Sequence, residues 1–191
     1  AQRLSYVGEL GFELYIENKN AKEIYQLIIE EGKNHNLSHC GSHAMDTMRM
    51  ESGFLHWGHD ISPEENQYEA GLNFAISYKK ETNFIGKESL LKIKEKIQNR
   101  RFIMLSLKDS KPGTPLLLHE EPIYLGDKII GRTTSGNYSF NYKKNLSFGY
   151  VSSSHSNEEL SKMDLYIEVA KQKLPALVEI TPLKDKQARF L

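Results

Sequence analysis

Apolar and polar residues alternate near the start of the chain, which is the pattern of a half-buried β-strand. The pattern runs over residues 10–16 and places Glu13 and Tyr15 on the same face. Helical spacing follows, with Asn20 and Glu23 forming a capping-box pattern and Gly32 ending the apolar stripe. The start of the chain therefore predicts a strand followed by an amphipathic helix.

Two further helices and one strand are predicted before residue 98. The helices cover residues 42–53 and 86–98, and the strand covers residues 73–78. After residue 99 only short β-type segments occur, at residues 102–107, 122–125, 128–134, 147–151, 165–170 and 176–180. Gly126 and Asp127 form a two-residue hairpin turn between two of them. The pattern predicts an α+β unit over 1–98 and a small antiparallel barrel or sandwich over 99–191.

Charge and composition exclude several classes of protein. The 191 residues carry 25 basic and 25 acidic side chains, so no basic surplus favours nucleic acid or an anionic membrane. No apolar run approaches the roughly 20 residues of a membrane span. The single cysteine, Cys40, excludes an internal disulfide and indicates a reducing compartment. The chain starts without Met and directly in patterned sequence, which suggests a cut inside a longer polypeptide.

The sequence contains no common motif for a metal site, a nucleotide site or a serine hydrolase. His35, His39 and His43 are spaced four apart around Cys40, but in a connection between helices they would not share a face, so no metal site is expected. The chain has no P-loop, no Gly-x-Gly-x-x-Gly opening a helix and no Gly-x-Ser-x-Gly. The run 6–15 combines two glycines, two carboxylates and two tyrosines, so it is either a ligand-contacting segment or a solvated strand face.

Residues 3–15 resemble the aminomethyltransferase, or glycine-cleavage T-protein, family. Similar motifs recur at residues 44–54, 56–60, 69–72, 84–87, 134–136, 147–151 and 181–183. Residues 6–10 and 57–60 look more like the folate-binding half of dimethylglycine and sarcosine dehydrogenases. The resemblance implies the second, α+β half of a folate-binding domain with an antiparallel sheet and helices, followed by a C-terminal antiparallel β-barrel.

The resemblance also implies a chemistry. In such dehydrogenases a flavin domain oxidises an N-methyl amine, and the fused domain passes the one-carbon unit to tetrahydrofolate. The pterin's amino and N–H donors suit a bidentate carboxylate, which by resemblance is Glu13, with Glu9 ranked second. The other folate-binding residues implied are Tyr6, Leu14, Tyr15 and Phe74.

Four positions are interpreted separately. Met45 stands where T-proteins place an arginine for the folate tail, a change that the dehydrogenase-like relatives share. Lys184 replaces a C-terminal tyrosine; it either meets the same anionic tail or is solvated, and the solvated state is the expectation. Arg49 is expected to pair with Asp46 or Glu51, and Trp57 to lie in the core.

No catalytic residue is assigned, because the family's catalytic aspartate lies in an N-terminal half that this chain lacks. That half is the expected partner, and FAD is expected only in the absent part of the parent protein. The alternatives are a free T-protein, a non-catalytic regulatory relative and a folate-dependent demethylase of another donor. The expected location is the bacterial cytoplasm or the mitochondrial matrix.

Overall fold

Six antiparallel strands close into a barrel in the second half of the chain. A computed structural model describes residues 1–96, 98–152 and 154–184. Around the barrel the strand order is β1-β4-β3-β2-β5-β6, so the first and last strands pair and close the cylinder. The strands are β1 Arg100–Leu107, β2 Pro122–Leu125, β3 Lys128–Ser139, β4 Lys144–Ser152, β5 Leu165–Val169 and β6 Gln172–Glu179.

Strand β1 is buried on both faces over residues 103–107. Ile103 and Leu105 point into the barrel and join its main apolar cluster, together with Ile123 and Ile167 from other strands. Met104 faces outward and packs in a second cluster that includes Met50, Leu146 and Phe148. A strand covered on both sides reads as a continuous apolar run rather than an alternating one, which accounts for the sequence of β1.

Gly131 in β3 sits where two strands approach very closely. A Cβ atom built on this glycine would lie 1.9 Å from the backbone carbonyl oxygen of Tyr150 on β4. The obstacle is backbone and has no rotamer by which it could move aside. Only glycine therefore fits this position of the barrel wall.

In the described residues, four α-helices accompany the barrel. Helix α2 packs on β3 and β4 and buries Thr47, Arg49 and Met50, whereas α1 buries none of its side chains. Within the described residues, no helix combines the length and apolar character needed to cross a bilayer. The helices are α1 Asn18–Gly32, α2 Ser42–Glu51, α3 Lys87–Lys94 and α4 Asn157–Leu160.

The α+β class with a C-terminal antiparallel barrel is confirmed. The predicted segments correspond to β1–β6, with the bounds of β2 as predicted and at least one end of each other strand shifted. The predicted strands over 10–16 and 73–78 are wrong. Among the described residues, the segment 10–16 forms a single bridge, between Gln2 and Glu13, and Asn73–Ala75 forms a 3-10 turn. A strand needs a neighbour to bond with, and the described part of 1–98 provides none.

Helix ends differ from the prediction in detail. Helix α1 begins at Asn18, and Glu17 before it makes no side-chain capping bond, so the expected Asn20 cap is not used. Helix α3 ends at Lys94 rather than continuing to Gln98. Ile97, an apolar position of that predicted helix, lies outside the described residues, as do the last seven residues of the 99–191 unit.

Candidate functional site

A buried ion-pair network fixes helix α2 to the barrel. The guanidinium of Arg49 is 1% exposed and lies 5.2 Å from the ring centroid of Phe148. It donates to the carboxylates of Asp46, at 2.7 Å, and Asp60, at 2.5 Å, and to the Ser135 hydroxyl at 2.7 Å. The expected structural role of Arg49 is confirmed with Asp46 as one partner.

Asp60 is the second partner of Arg49, and the sequence did not predict this ion pair. Its carboxylate accepts hydrogen bonds from the Thr134 and Ser135 hydroxyls, at 2.6 and 2.7 Å, and from the backbone N–H of His56 at 2.9 Å. A buried carboxylate is stable only with such a full set of donors. The sequence offered one indication of this contact: the segments 56–60 and 134–136, which contain Asp60 and its two hydroxyl donors, both resemble motifs of the family.

Glu51, at the end of α2, makes a second buried connection. Its carboxylate accepts from the Ser139 hydroxyl at 2.5 Å and from the Asn141 side-chain amide at 2.9 Å. Its backbone carbonyl accepts from the N–H of Lys184 at 2.9 Å. Glu51 therefore bonds the barrel and the C-terminal segment rather than Arg49.

Tyr6 is held at the edge of a large apolar cavity. Its hydroxyl donates to the carbonyl oxygen of Leu55 at 3.1 Å, and its ring stacks near that of Phe54 with centroids 6.3 Å apart. Burial raises the pKa of this hydroxyl; the nearby Arg49 lowers it less, so the hydroxyl stays protonated as a donor at neutral pH. Tyr6 and Phe74 line the same cavity, of about 700 Å³.

Phe74 presents an open aromatic surface. It lies in the 3-10 turn and is 82% exposed. The cavity behind it is lined largely by apolar and aromatic groups, including Leu72, Phe102 and Phe148. A flat aromatic ligand can stack on such a surface.

Glu13 and Tyr15 face solvent together. The Tyr15 hydroxyl donates to one oxygen of the Glu13 carboxylate at 2.8 Å, and this bond raises the pKa of Tyr15. Among the described residues no other side chain bonds Glu13, so its second oxygen is available. Leu14 and Tyr15 are 50% and 71% exposed. Unlike Tyr6 and Phe74, these three residues do not line the 700 Å³ cavity.

Glu9 is engaged elsewhere. Its carboxylate accepts a hydrogen bond from the ammonium group of Lys184, whose side chain is 11% exposed. The expectation that Lys184 is solvated is therefore wrong. Because Glu9 already neutralises a lysine, Glu13 is the more accessible carboxylate of this segment.

Two other expectations concern single side chains. Trp57 is 66% exposed, so its predicted place in the core is wrong.

Met45 is 43% exposed and lines a second cavity, of about 350 Å³, next to the Arg49 network. Tyr6 also lines this second cavity, as do four histidines: His43, His56, His59 and His119. In the described part of the chain, no three His, Cys, Asp or Glu side chains are arranged to hold a metal ion.

The structure is a β-barrel with helices packed on it and two cavities that are both lined by Tyr6. Comparison with known proteins identifies the family to which this architecture belongs. The family model of the GCVT N-terminal domain matches residues 1–80, and that of the glycine cleavage T-protein C-terminal barrel domain matches residues 100–185. The chain belongs to the aminomethyltransferase, or glycine-cleavage T-protein, family.

Individual relatives include enzymes of two kinds. The chain is 35% identical to human mitochondrial dimethylglycine dehydrogenase over 187 residues, covering 96% of this chain and 20% of that protein. It is 35% identical to an aminomethyltransferase from Symbiobacterium thermophilum over 154 residues, or 81% of this chain and 40% of that protein. The chain therefore spans less than half the length of these relatives.

A solved structure shares the fold. The aminomethyltransferase T of the glycine cleavage system from Bartonella henselae superposes with a TM-score of 0.79 at 22% sequence identity. The match covers 95% of this chain and 48% of that one. At this identity the comparison supports the fold alone.

Proposed function

We propose that this chain is the tetrahydrofolate-binding part of an aminomethyltransferase-type domain, which transfers a one-carbon unit from an amine-derived donor to tetrahydrofolate. The observation that carries the proposal is the exposed Glu13 carboxylate. One of its oxygens accepts from Tyr15, and the other accepts from no further side chain in the part of the chain that the structure describes. A pterin offers two adjacent N–H donors, which suit such an acceptor.

The remaining proposed folate-binding residues are Tyr6, Leu14, Tyr15 and Phe74. Tyr6 and Phe74 line one apolar cavity, whose aromatic walls suit a flat ring. Leu14 and Tyr15 flank the carboxylate on an open surface. Glu13 does not line that cavity, so we propose that the complete folate site includes a further wall from the N-terminal half of the parent polypeptide.

A flavin is proposed only outside this chain. The family uses tetrahydrofolate, and the relatives named dimethylglycine dehydrogenase suggest a parent with FAD. This chain has no Gly-x-Gly-x-x-Gly at the start of a helix, so its own residues do not fit a dinucleotide. The mitochondrial and bacterial relatives are consistent with the mitochondrial matrix or the bacterial cytoplasm.

The test is a calorimetric titration of tetrahydrofolate into the chain and its Glu13→Gln variant. The amide keeps the shape but replaces one acceptor oxygen by a donor, so we expect binding to weaken more than tenfold, about 1.4 kcal/mol. Glu9→Gln is the matched control and should bind normally, because Glu9 is occupied by Lys184. Circular dichroism checks that each variant is folded.

Equal weakening by both variants would contradict the assignment of Glu13. If neither binds, the same titration is made on the longer parent polypeptide. Absence of binding there would refute the folate proposal and favour the non-catalytic regulatory relative.

A further inference from the structure

One end of the barrel carries a groove of about 780 Å³ that is separate from the proposed folate site. It is formed by the segment after β1, the β3–β4 turn and the β5–β6 turn. It shares no lining residue with the cavity of Tyr6 and Phe74. We call it the lysine groove, after four of its lining residues: Lys108, Lys111, Lys143 and Lys144.

The groove has a local excess of positive charge. Lys144 is neutralised by Glu179 at 2.5 Å. Lys108, Lys111 and Lys143 form no ion pair with any residue that the structure describes. The lining of the groove includes one acidic residue, Asp109. The whole chain has no formal net charge, so these cations are a local excess. A local excess of positive charge attracts anions to the groove.

Two turns that border the groove have residues in the left-handed backbone region. Lys143 has a φ of 54° and Ala170, in the opposite turn, a φ of 49°. This left-handed region suits glycine, and other residues are held there against their preference. Both residues lie in tight turns between antiparallel strands, where positive φ values are common. A lysine at position 143 thus stands where glycine would fit the backbone better.

Apolar side chains complete the groove. Leu177 and Tyr142 line it and are 40% and 39% exposed, and Pro115, Val169 and Leu174 are also lining residues. Its volume falls within the range of small-molecule sites. The lining combines ammonium groups with an apolar surface, so an organic anion would satisfy both.

We propose that the lysine groove binds a small organic anion with two or more negative charges on an apolar body. Ammonium groups bind carboxylate and phosphate alike as point charges, so the shared chemistry is a polyanion. Three lysines from two loops, none of them in an ion pair with a described residue, can together balance more than one negative charge.

The experiment titrates three aromatic anions into the full chain at constant ionic strength, followed by NMR. Benzene-1,3-dicarboxylate tests carboxylates, phenyl phosphate tests phosphates, and benzoate has the same ring with one charge. We expect saturable shifts at the groove for one or both dianions, with at least tenfold weaker binding of benzoate. The dianion that binds identifies the anionic group.

Variants then locate the site. Lys108→Gln and Lys111→Gln should each weaken dianion binding at least threefold. Lys143→Gly should weaken it similarly while raising the thermal unfolding midpoint, because glycine relieves the left-handed backbone. Lys128→Gln removes the same charge outside the groove and is the control, and Glu13→Gln separates this site from the proposed folate site.

Absence of saturable binding by both dianions would overturn the proposal. So would equal weakening by Lys128→Gln, which would indicate only general charge attraction. A stabilised Lys143→Gly variant with undiminished binding would also exclude Lys143 from the site.

Discussion

The buried guanidinium of Arg49 shows how a single residue determines the position of a helix. Arg49 reaches Asp46 on its own helix, Asp60 in the following loop and Ser135 on β3. Burying one charge is costly unless it is fully paired. The three segments therefore depend on one another, because removing a buried partner would leave the Arg49 charge uncompensated.

Asp60→Asn should lower the free energy of unfolding by about 3–5 kcal/mol, because the buried Arg49 would lose its fully buried partner. The measurement is chemical denaturation of the variant and the parent chain. Asp46→Asn is the control, since the Asp46 side chain is 33% exposed and water can replace part of its interaction. Equal losses for the two variants would contradict the assignment of Asp60 as the dominant partner.

At the scale of elements, the barrel was far more predictable than the first half of the chain. The hairpin at Gly126 and Asp127 joins β2 and β3 as expected, because a turn and its flanking strands are encoded locally. The segment 10–16 alternates just as clearly, but pairing depends on a neighbour that a local pattern does not reveal. The same argument applies to Asp60, because two of its donors, Thr134 and Ser135, lie 74 and 75 residues away along the chain.

The candidate site residues also divide into those whose placement a local pattern predicts and those whose placement depends on distant parts of the chain. The shared face of Glu13 and Tyr15 followed from period-two alternation, and their side chains are indeed bonded. The pairing of Glu9 with Lys184 spans almost the whole chain, so no local pattern could indicate it. The exposure of Trp57 was missed because an apolar ring was assumed to be covered.

Gly131→Ala should destabilise the barrel by about 1–3 kcal/mol, since the added methyl group would collide with the backbone of β4 and force the strands apart. Thermal and chemical denaturation measure this directly. Gly41→Ala is a suitable comparison, because its Cβ would lie in open space. A Gly131→Ala variant as stable as Gly41→Ala would show that β3 and β4 are farther apart than described.

At the scale of the whole molecule, the two halves are stabilised very differently. The barrel holds the main apolar cluster, whereas α1 exposes Tyr25, Leu27 and Ile28 and buries none of its 15 side chains. The division into 1–98 and 99–191 stays a prediction. This exposed side of α1 is the surface on which the N-terminal half proposed above is expected to pack.

Backbone amides of α1 should exchange with solvent at least about a hundredfold faster than those of β1 and β4, because a helix without buried side chains opens locally. Hydrogen–deuterium exchange with peptide-level mass spectrometry tests this. In the longer parent polypeptide the same amides should become protected. Equal protection of α1 and β4 in this chain would refute the first expectation, and unchanged exchange in the parent would refute the proposed contact.

The pairing of β1 with β6 has a consequence for synthesis of the protein on the ribosome. Leu107 and Ala176 are register partners, although about 70 residues separate them. Strand β1 therefore leaves the exit tunnel long before its second neighbour exists, and one edge of a strongly apolar strand stays open during that interval. Such an edge is prone to pair with other chains, so the nascent protein has a period in which a chaperone would be of most use.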